Sequence, residues 1–130
     1  MGLDNYAVYG KDHHKYDPTE GASNGIPDEL FPNNHLCGGL FSGGGNSFRG
    51  KVYNGVVEFF TNHTLYEDVL DPSDVQDIYD SLSKVTEERF RTEFSNQGYN
   101  NWDITYEEVK DLTKWFGVVV SEGGCVISWY

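Results

Sequence analysis

Apolar residues recur at helical spacing in three stretches of the chain. In the first stretch, Val52, Val56 and Phe60 are each four residues apart, so they share one face of a helix. This pattern predicts a helix over residues 50–62. The rival interpretation is a strand, because the run Val56–Phe60 is rich in β-branched and aromatic residues.

The second stretch predicts a helix over residues 72–84. Asp71 can cap it, Pro72 suits the first helical position, and apolar residues follow at i, i+3 and i+7 from Val75. The third stretch predicts a helix over residues 105–121. It opens on a capping-box spacing of Thr and Glu at 105 and 108, and a pair of glycines at 123 and 124 ends it.

Two shorter helices follow from the same capping chemistry. Thr64 and Glu67 have the spacing of a capping box and predict a short helix that reaches Val69. The run that begins at Thr86 predicts another helix, which passes through Phe90.

Strand formers occupy both ends of the chain. Leu3–Tyr9 and Cys125–Tyr130 are rich in aromatic and β-branched residues, and each is bounded by glycine. We therefore predict an α+β fold: a mostly helical single domain, residues 1–130, with a small antiparallel sheet that pairs the N- and C-terminal strands. The expected core includes Val52, Val56, Phe60, Ile78, Leu82, Leu112, Phe116 and Ile127.

Two segments before the first helix lack this periodicity. Lys11–Asn34 is polar, holds Pro18, Pro27 and Pro32, and predicts a long irregular segment. Gly38–Gly50 holds six glycines, which permit tight turns and close approach of the backbone to other groups.

Charge excludes one class of partner. The 130 residues include 21 Asp and Glu against nine Lys and Arg, for a net charge of −12. Nucleic-acid binding needs a basic footprint, so we expect no nucleic acid partner. No apolar run approaches the roughly 18 residues of a membrane helix, and the N-terminus lacks a signal-peptide pattern. We therefore expect no membrane partner and a cytoplasmic protein.

The negative charge is concentrated in the second half of the chain. The densest part, hereafter the acidic face, has no base among its members, which are Glu67, Asp68, Asp71, Asp74, Asp77 and Asp80. One interpretation is an ordinary solvated surface. The other is a surface that docks on a basic protein partner, in the manner of a DNA mimic.

The glycine-rich segment contains a candidate ligand site. From Gly45 it reads G-x-x-x-x-G-K-V, close to the phosphate-binding pattern G-x-x-x-x-G-K-[ST]. Val52 stands where the magnesium-binding hydroxyl belongs, so we do not expect nucleotide hydrolysis. A loop that leads into a helix start can still hold a phosphate or carboxylate. The candidate binding residues are Gly45, Asn46, Ser47, Arg49 and Lys51. The alternative is that the two cations pair with this protein's own acids.

Catalytic and metal-binding patterns are weak. His35 and Cys37 are spaced to lie on one side of a strand, but the next histidines, His13 and His14, are about twenty residues away. Surface histidines and free thiols at Cys37 and Cys125 explain this set better, so we expect no metal and no cofactor. No spacing selects a nucleophile and a base, which favours a protein that is not an enzyme.

Three segments carry a resemblance to other proteins. The opening Met1-Gly2-Leu3-Asp4, the segment Cys37–Tyr53 and the closing Gly-Gly-Cys-Val-Ile-Ser-Trp-Tyr resemble those of short bacterial and phage proteins whose activity is uncharacterised. The resemblance implies a bacterial or phage setting, and it implies no mechanism.

Two functions follow as hypotheses. The first is a small acidic non-enzymatic binding or regulatory protein, phage-borne and acting on a host protein. The second is a small-ligand protein or enzyme with a phosphate or carboxylate site at the glycine-rich loop, residues 38–51. The two hypotheses differ in whether Arg49 and Lys51 converge on an open pocket or pair with acids. Neither specifies an oligomeric state.

Overall fold

A computed structural model of the chain describes residues 3–8 and 47–129. The strands in this part are β1 (Asp4–Val8), β2 (Ser47–Arg49), β3 (Val69–Leu70) and β4 (Cys125–Trp129). The helices are α1 (Gly50–Thr61), α2 (Pro72–Ser83), α3 (Glu87–Arg89), which continues into a π-helical turn (Phe90–Ser95), and α4 (Tyr106–Ser121). None of these helices is long and apolar enough to cross a membrane. The predicted irregular segment Lys11–Asn34 lies outside the described residues.

The sheet joins the two ends of the chain. Its strand order within the described residues is β2-β1-β4-β3, and every neighbouring pair is antiparallel. In the central pair, Ala7 lies opposite Val126 and Asn5 lies opposite Ser128. The predicted α+β fold, with paired N- and C-terminal strands, is confirmed. The two short outer strands are additional to that prediction.

Reciprocal caps begin α2 and α4 where the sequence predicts. The Asp71 side chain accepts a hydrogen bond from the Asp74 N–H, and the Asp74 side chain accepts one from the Asp71 N–H. Thr105 and Glu108 form the same pair of bonds at α4. Each cap satisfies N–H groups that the first turn of a helix leaves free.

Left-handed residues end α1 and α4. Gly123 has φ of 65°, and the Gly124 N–H donates to the Val119 carbonyl, which closes α4 in a Schellman motif. At the end of α1, Asn62 has φ of 61° and its N–H donates to the Glu58 carbonyl. The rival strand interpretation of this first stretch is wrong, since α1 is a regular helix of 12 residues.

The core is formed by the sheet together with α1, α2 and α4. Most of the predicted core residues are buried: Val52, Val56, Ile78, Leu82, Leu112, Phe116 and Ile127. Phe60 was also predicted there, but it is only partly buried and packs at the edge of the core. Phe48, Tyr53 and Trp115, which are not among the named core residues, are also fully buried. Phe48 meets both of the other rings edge to face, with centroids 6.0 Å and 4.8 Å away.

The short helix predicted to reach Val69 does not form. Thr64 Oγ1 accepts a hydrogen bond from the Tyr66 N–H, and the Glu67 N–H donates to the Thr64 carbonyl, so the segment closes as a turn. The chain then extends into β3, which pairs with β4 and buries Leu70. A single helical turn is marginal in isolation, so burial and strand pairing outweigh the capping signal.

The helix predicted to pass through Phe90 forms, but its second half is π-helical. The Asn96 N–H donates to the Arg91 carbonyl, five residues back, at 2.7 Å. The wider turn lets residues four positions apart point the same way. Phe90 and Phe94 are both buried, and their rings stack with centroids 5.8 Å apart.

Candidate functional site

The start of α1 is packed tightly against the N-terminal strand. A Cβ built on Gly50 would lie 1.7 Å from Asn5 Oδ1 and 3.0 Å from Leu3 Cδ2, so only glycine fits there. Asn5 is fully buried, and its side-chain amide donates to the Leu65 carbonyl at 2.9 Å. The Lys51 N–H donates to the Leu3 carbonyl. One of the N–H groups that an anion at this helix start would use is therefore already bonded.

The predicted ligand site lies only partly within the described residues. Gly45 and Asn46 are outside them. Ser47 begins β2, so the residues before the helix form a strand paired with β1, whereas a phosphate-binding loop would leave them unpaired. Arg49 is the N-cap of α1; its backbone is extended, and its side chain makes no capping hydrogen bond.

Arg49 and Lys51 serve different surfaces. Arg49 is exposed and forms no ion pair with any residue between 47 and 129 or between 3 and 8. The Lys51 ammonium lies 5.7 Å from the centroid of the exposed Trp102 ring, which is a cation–π arrangement. Arg49 precedes the helix in an extended conformation, so helical spacing does not bring its side chain to the side of Lys51. An anion site that uses both cations therefore stays a prediction.

The residues of the predicted metal set, His35 and Cys37, lie outside the described part of the chain. Within that part, no group of three or more His, Cys, Asp or Glu residues is placed to hold a metal ion. Cys125 of β4 is buried. Desolvation first, and the charge of Asp71 second, raise the pKa of its thiol to about 11. A thiol that stays protonated at neutral pH is a poor nucleophile.

The acidic face lies on α2, on its N-cap Asp71, and on the turn before β3 that carries Glu67 and Asp68. At its centre Asp71 accepts hydrogen bonds from the Asp74 N–H and the Ser73 hydroxyl, both at 2.9 Å. The backbone bond foremost, and then the hydroxyl, lower the pKa of the Asp71 carboxyl below its usual value. Asp71 therefore carries its negative charge even in mildly acidic solution.

The remaining α2 carboxylates contact neutral or weakly basic groups. His63 Nδ1 lies 4.0 Å from Asp74 Oδ1, and His63 Nε2 lies 3.6 Å from Asp77 Oδ2. Asp80 accepts a hydrogen bond from the Gln76 side-chain amide. No Lys or Arg of the described residues forms an ion pair with Asp71, Asp74, Asp77 or Asp80.

An open groove of about 470 Å³ lies at the C-terminal end of α1. It is lined by Glu58, Asn62, His63, Thr64 and Glu67. The last turn of α1 contains no basic residue, so the negative end of its dipole is not compensated locally. With two carboxylates in its lining, the groove favours a positively charged group over a negative one.

Three exposed aromatic side chains lie on α1 or against it, and we refer to Phe59, Tyr99 and Trp102 as the aromatic platform. Their exposed fractions are 39%, 54% and 51%. The rings of Phe59 and Tyr99 are 5.2 Å apart between centroids. The sequence pattern did not predict this surface, because Phe59 lies within an apolar run and Tyr99 and Trp102 lie outside every periodic stretch. Two large aromatic residues within a polar loop and its border were the available signal.

Comparison of the chain with models of protein families, with curated proteins and with solved structures found no match. The function is therefore inferred from the residues of this chain.

Proposed function

We propose that this chain is a small non-enzymatic binding protein that docks on a basic protein partner through its acidic face. The observation that carries the proposal is the absence, among the described residues, of any Lys or Arg paired with the α2 carboxylates. Charges that a protein does not neutralise itself remain available to a partner. They attract and orient a positive surface over roughly a Debye length, about 8–10 Å.

The composition of α2 supports a binding role over a purely structural one. Asp77 and Asp80 lie beyond its first turn, where the helix dipole no longer favours negative charge. They are three residues apart and repel each other, and the last turn of α2 holds no base. Aspartate is also a weak helix former. Their local partners are the His63 ring and the Gln76 amide, neither of which is a Lys or Arg. Residues that weaken their own helix are typical of a functional surface.

The absence of a catalytic constellation within the described residues favours a protein that is not an enzyme. No Ser, Thr or Cys side chain of residues 3–8 or 47–129 is hydrogen-bonded to the His63 ring, and the Cys125 thiol is buried. A phage-borne protein that acts on a host protein in the cytoplasm remains the setting we propose, on the sequence resemblance alone.

A second candidate function, binding of a phosphate or carboxylate at the start of α1, has one supporting observation. Arg49 is exposed there, and no side chain caps the helix. Thermal shifts with phosphate, sulfate, nucleotides and small carboxylates test it. A ligand at 100 times its dissociation constant adds about 2.7 kcal/mol to the free energy of unfolding, which is readily detected. An unchanged melting temperature throughout the panel contradicts this function.

The main proposal is tested with two charge-matched variants. Asp77→Asn with Asp80→Asn removes two charges from the acidic face, and Glu87→Gln with Glu88→Gln removes two exposed charges from α3. Each variant and the wild type are immobilised and exposed to a bacterial lysate at low and high salt, and the captured protein is then purified for titration.

We expect a basic protein to be captured at low salt and released at high salt. Its affinity for the Asp77/Asp80 variant falls about tenfold, while the Glu87/Glu88 variant stays within about twofold of wild type. Equal weakening by both variants would mean that only net charge matters. That result, like the capture of no salt-sensitive partner, contradicts docking through the acidic face.

A further inference from the structure

His63 lies between two carboxylates of the acidic face. Its Nδ1 atom is 4.0 Å from Asp74 Oδ1, in the first turn of α2, and its Nε2 atom is 3.6 Å from Asp77 Oδ2, three residues further along the same helix. Both distances are longer than a hydrogen bond, so the ring lies beside the two carboxylates and is hydrogen-bonded to neither. This contact joins the turn after α1 to the helix that we propose for docking.

The turn that carries His63 is held in place by hydrogen bonds on both sides of it. The His63 N–H donates to Thr61 Oγ1 at 3.1 Å, and the Thr61 hydroxyl donates to the Val57 carbonyl at 2.6 Å. Two residues after His63, the Leu65 N–H donates to Asn54 Oδ1 at 2.7 Å. The His63 side chain is 24% exposed, so the fold places its ring against α2 and still leaves it open to protons from water.

Neutral His63 cannot donate to both of its neighbours. A neutral imidazole has one N–H donor and one lone pair, and an ionised carboxylate can only accept. Whichever ring nitrogen carries the proton, the other one lies near an acceptor, either Asp74 or Asp77. Only the imidazolium form has an N–H group on both nitrogens. Histidine is also the side chain whose charge ordinarily changes between pH 5 and pH 8. The arrangement therefore suits a ring that gains and loses a charge.

Among the described residues, every charged group that faces the ring is a carboxylate. Asp74 and Asp77 face it from α2, while Glu58 of α1 and Glu67 of the following turn line the same groove as His63. No Lys or Arg of the described residues lines that groove or forms an ion pair with these four carboxylates. Within the described part of the chain, a protonated His63 is therefore the cation that is placed to neutralise the α2 carboxylates.

We infer that His63 regulates the acidic face: protonation of its ring withdraws Asp74 and Asp77 from a basic partner, so docking is strong at neutral pH and weakens in mild acid. This inference rests on the proposed function and adds its regulation. While His63 is neutral, both carboxylates are available to the partner. Once it is protonated, its two N–H groups compete for them, and the face becomes less negative. Asp77 can turn towards the ring, because its side chain is 70% exposed.

The first test follows the ring and its neighbours without any partner. NMR records the carboxyl carbons of Asp74 and Asp77 and the ring nitrogens of His63 from about pH 8 to about pH 5.5, where histidine changes charge and carboxyl groups ordinarily stay ionised. We expect both carboxyl signals to move together with the His63 ring in wild type and to stay still in His63→Gln. The exposed Glu87 and Glu88 of α3 are the reference carboxyl groups. Carboxyl signals that this substitution does not change overturn the inference.

The second test measures docking with a probe of constant charge. The probe is an eight-residue peptide that alternates serine and lysine, has both ends capped and is used at low salt. We expect the affinity of wild type to fall between pH 7.5 and pH 5.5 by about fivefold more than that of His63→Gln. The other histidines are present in both proteins, so the difference isolates this ring.

A permanent charge at position 63 provides a matched comparison. His63→Lys is positively charged at both pH values, so we expect it to bind the peptide about fivefold more weakly than wild type at pH 7.5 and to lose the extra pH dependence. Gln97→Lys makes the same change of charge at an exposed position outside the acidic face. We expect it to bind within about twofold of wild type and to keep the pH dependence. Equal weakening by the two lysine substitutions overturns the inference.

The variant Asp77→Asn with Asp80→Asn separates this inference from the proposed function. If it weakens peptide binding while wild type and His63→Gln share one pH dependence, the acidic face stands and regulation by His63 is wrong. If the carboxyl signals follow His63 but this variant binds the peptide as wild type does, docking through the acidic face is wrong, and regulation of that docking fails with it. A peptide that does not bind at low salt contradicts both proposals. Wild-type binding that becomes tighter in mild acid overturns the regulation alone.

Discussion

At its first residue, α1 lies so close to β1 that no side chain fits at Gly50. At its last turn, by contrast, Phe59 is 39% exposed and Glu58 lines an open groove. The start of α1 at Gly50, which we call the sealed region, is where the helix packs against the sheet. The Asn5 side chain also donates a hydrogen bond to the Leu65 carbonyl, in the turn that follows the helix. The open end carries charged and aromatic side chains that are exposed to solvent. The contrast suggests that stability is concentrated at one end of α1 and recognition at the other.

The strongest test of the contrast is Gly50→Ala against Gly55→Ala. A methyl group at position 50 would overlap Asn5 Oδ1, so we expect a loss of about 3 kcal/mol in the free energy of unfolding. At position 55 the methyl meets only Phe94 at 3.8 Å, so we expect a gain of about 0.5–1 kcal/mol. Urea denaturation measures both. A similar effect at the two positions would show that the start of α1 is not sealed.

Away from both ends of α1, the buried thiol of Cys125 in β4 predicts a loss of stability in alkaline solution. Burial raises the pKa of the Cys125 thiol to about 11 in the folded protein, from 9.0 for a thiol in water. Because the folded pKa is raised, the stabilisation is complete below pH 9 and is lost as the pH rises towards 11. Over this range the free energy of unfolding falls by about 2 kcal/mol.

The control for this prediction is Cys125→Val, which keeps an apolar side chain of similar volume but cannot ionise. We expect wild type to lose more stability than the variant between pH 9 and pH 11 in urea denaturation. Parallel pH profiles for the two proteins would mean that the thiol is open to water.

At the open region a smaller effect follows from the cap of α2. Asp71→Ala removes the acceptor for the Asp74 N–H, so we expect a lower melting temperature at neutral pH. Asp71→Asn keeps a side-chain oxygen that can accept this hydrogen bond, so we expect it to lower the melting temperature less than Asp71→Ala does. Because the pKa of Asp71 is lowered in the fold, its charge stabilises the protein above the usual aspartate range and ceases to do so as the pH falls below it. The difference in melting temperature between wild type and Asp71→Asn therefore becomes smaller in acid. If that difference persisted unchanged at pH 2, the charge of Asp71 would not be its cause.

The smallest effect is expected for Arg49, which is exposed although it adjoins the sealed Gly50. Arg49→Ala changes the free energy of unfolding by less than about 0.5 kcal/mol, as does Lys84→Ala, the matched change at another exposed cation. If Arg49 instead formed a buried ion pair with a carboxylate, the substitution would lower the free energy of unfolding by about 3–5 kcal/mol. A loss of that size would mean that the Arg49 side chain is buried and paired with a carboxylate.

The sequence predicted correctly where α2 and α4 begin, because the hydrogen bonds that cap a helix form within its first turn. Asp71 with Pro72, and Thr105 with Glu108, begin helices as expected, because each cap joins groups only three or four residues apart. The same spacing at Thr64 and Glu67 does not produce a helix. There the competing interaction is the pairing of β3 with β4, which joins residues more than fifty positions apart and is invisible in a local pattern.

The acidic face could be found from the sequence because all its members fall within the 14 residues from Glu67 to Asp80. The aromatic platform could not be found in this way. Phe59 and Tyr99 are about forty residues apart, and they meet only because the π-helical turn packs against α1. An aromatic residue in a pattern is assigned to the core by default, since burial of such a side chain is favourable. Only packing shows which aromatic side chains are left outside.

By itself, the sequence determined the α+β class, the pairing of the terminal strands, the caps and the net charge. These depend on short-range hydrogen bonds, on hydrophobic periodicity and on composition. The tertiary structure alone decided that Gly50 is required and Gly55 is not, and that Phe60 is partly buried while Phe48 is fully buried. Those outcomes depend on which distant atoms occupy the space beside a residue, and that space is defined only when the sheet and helices pack together.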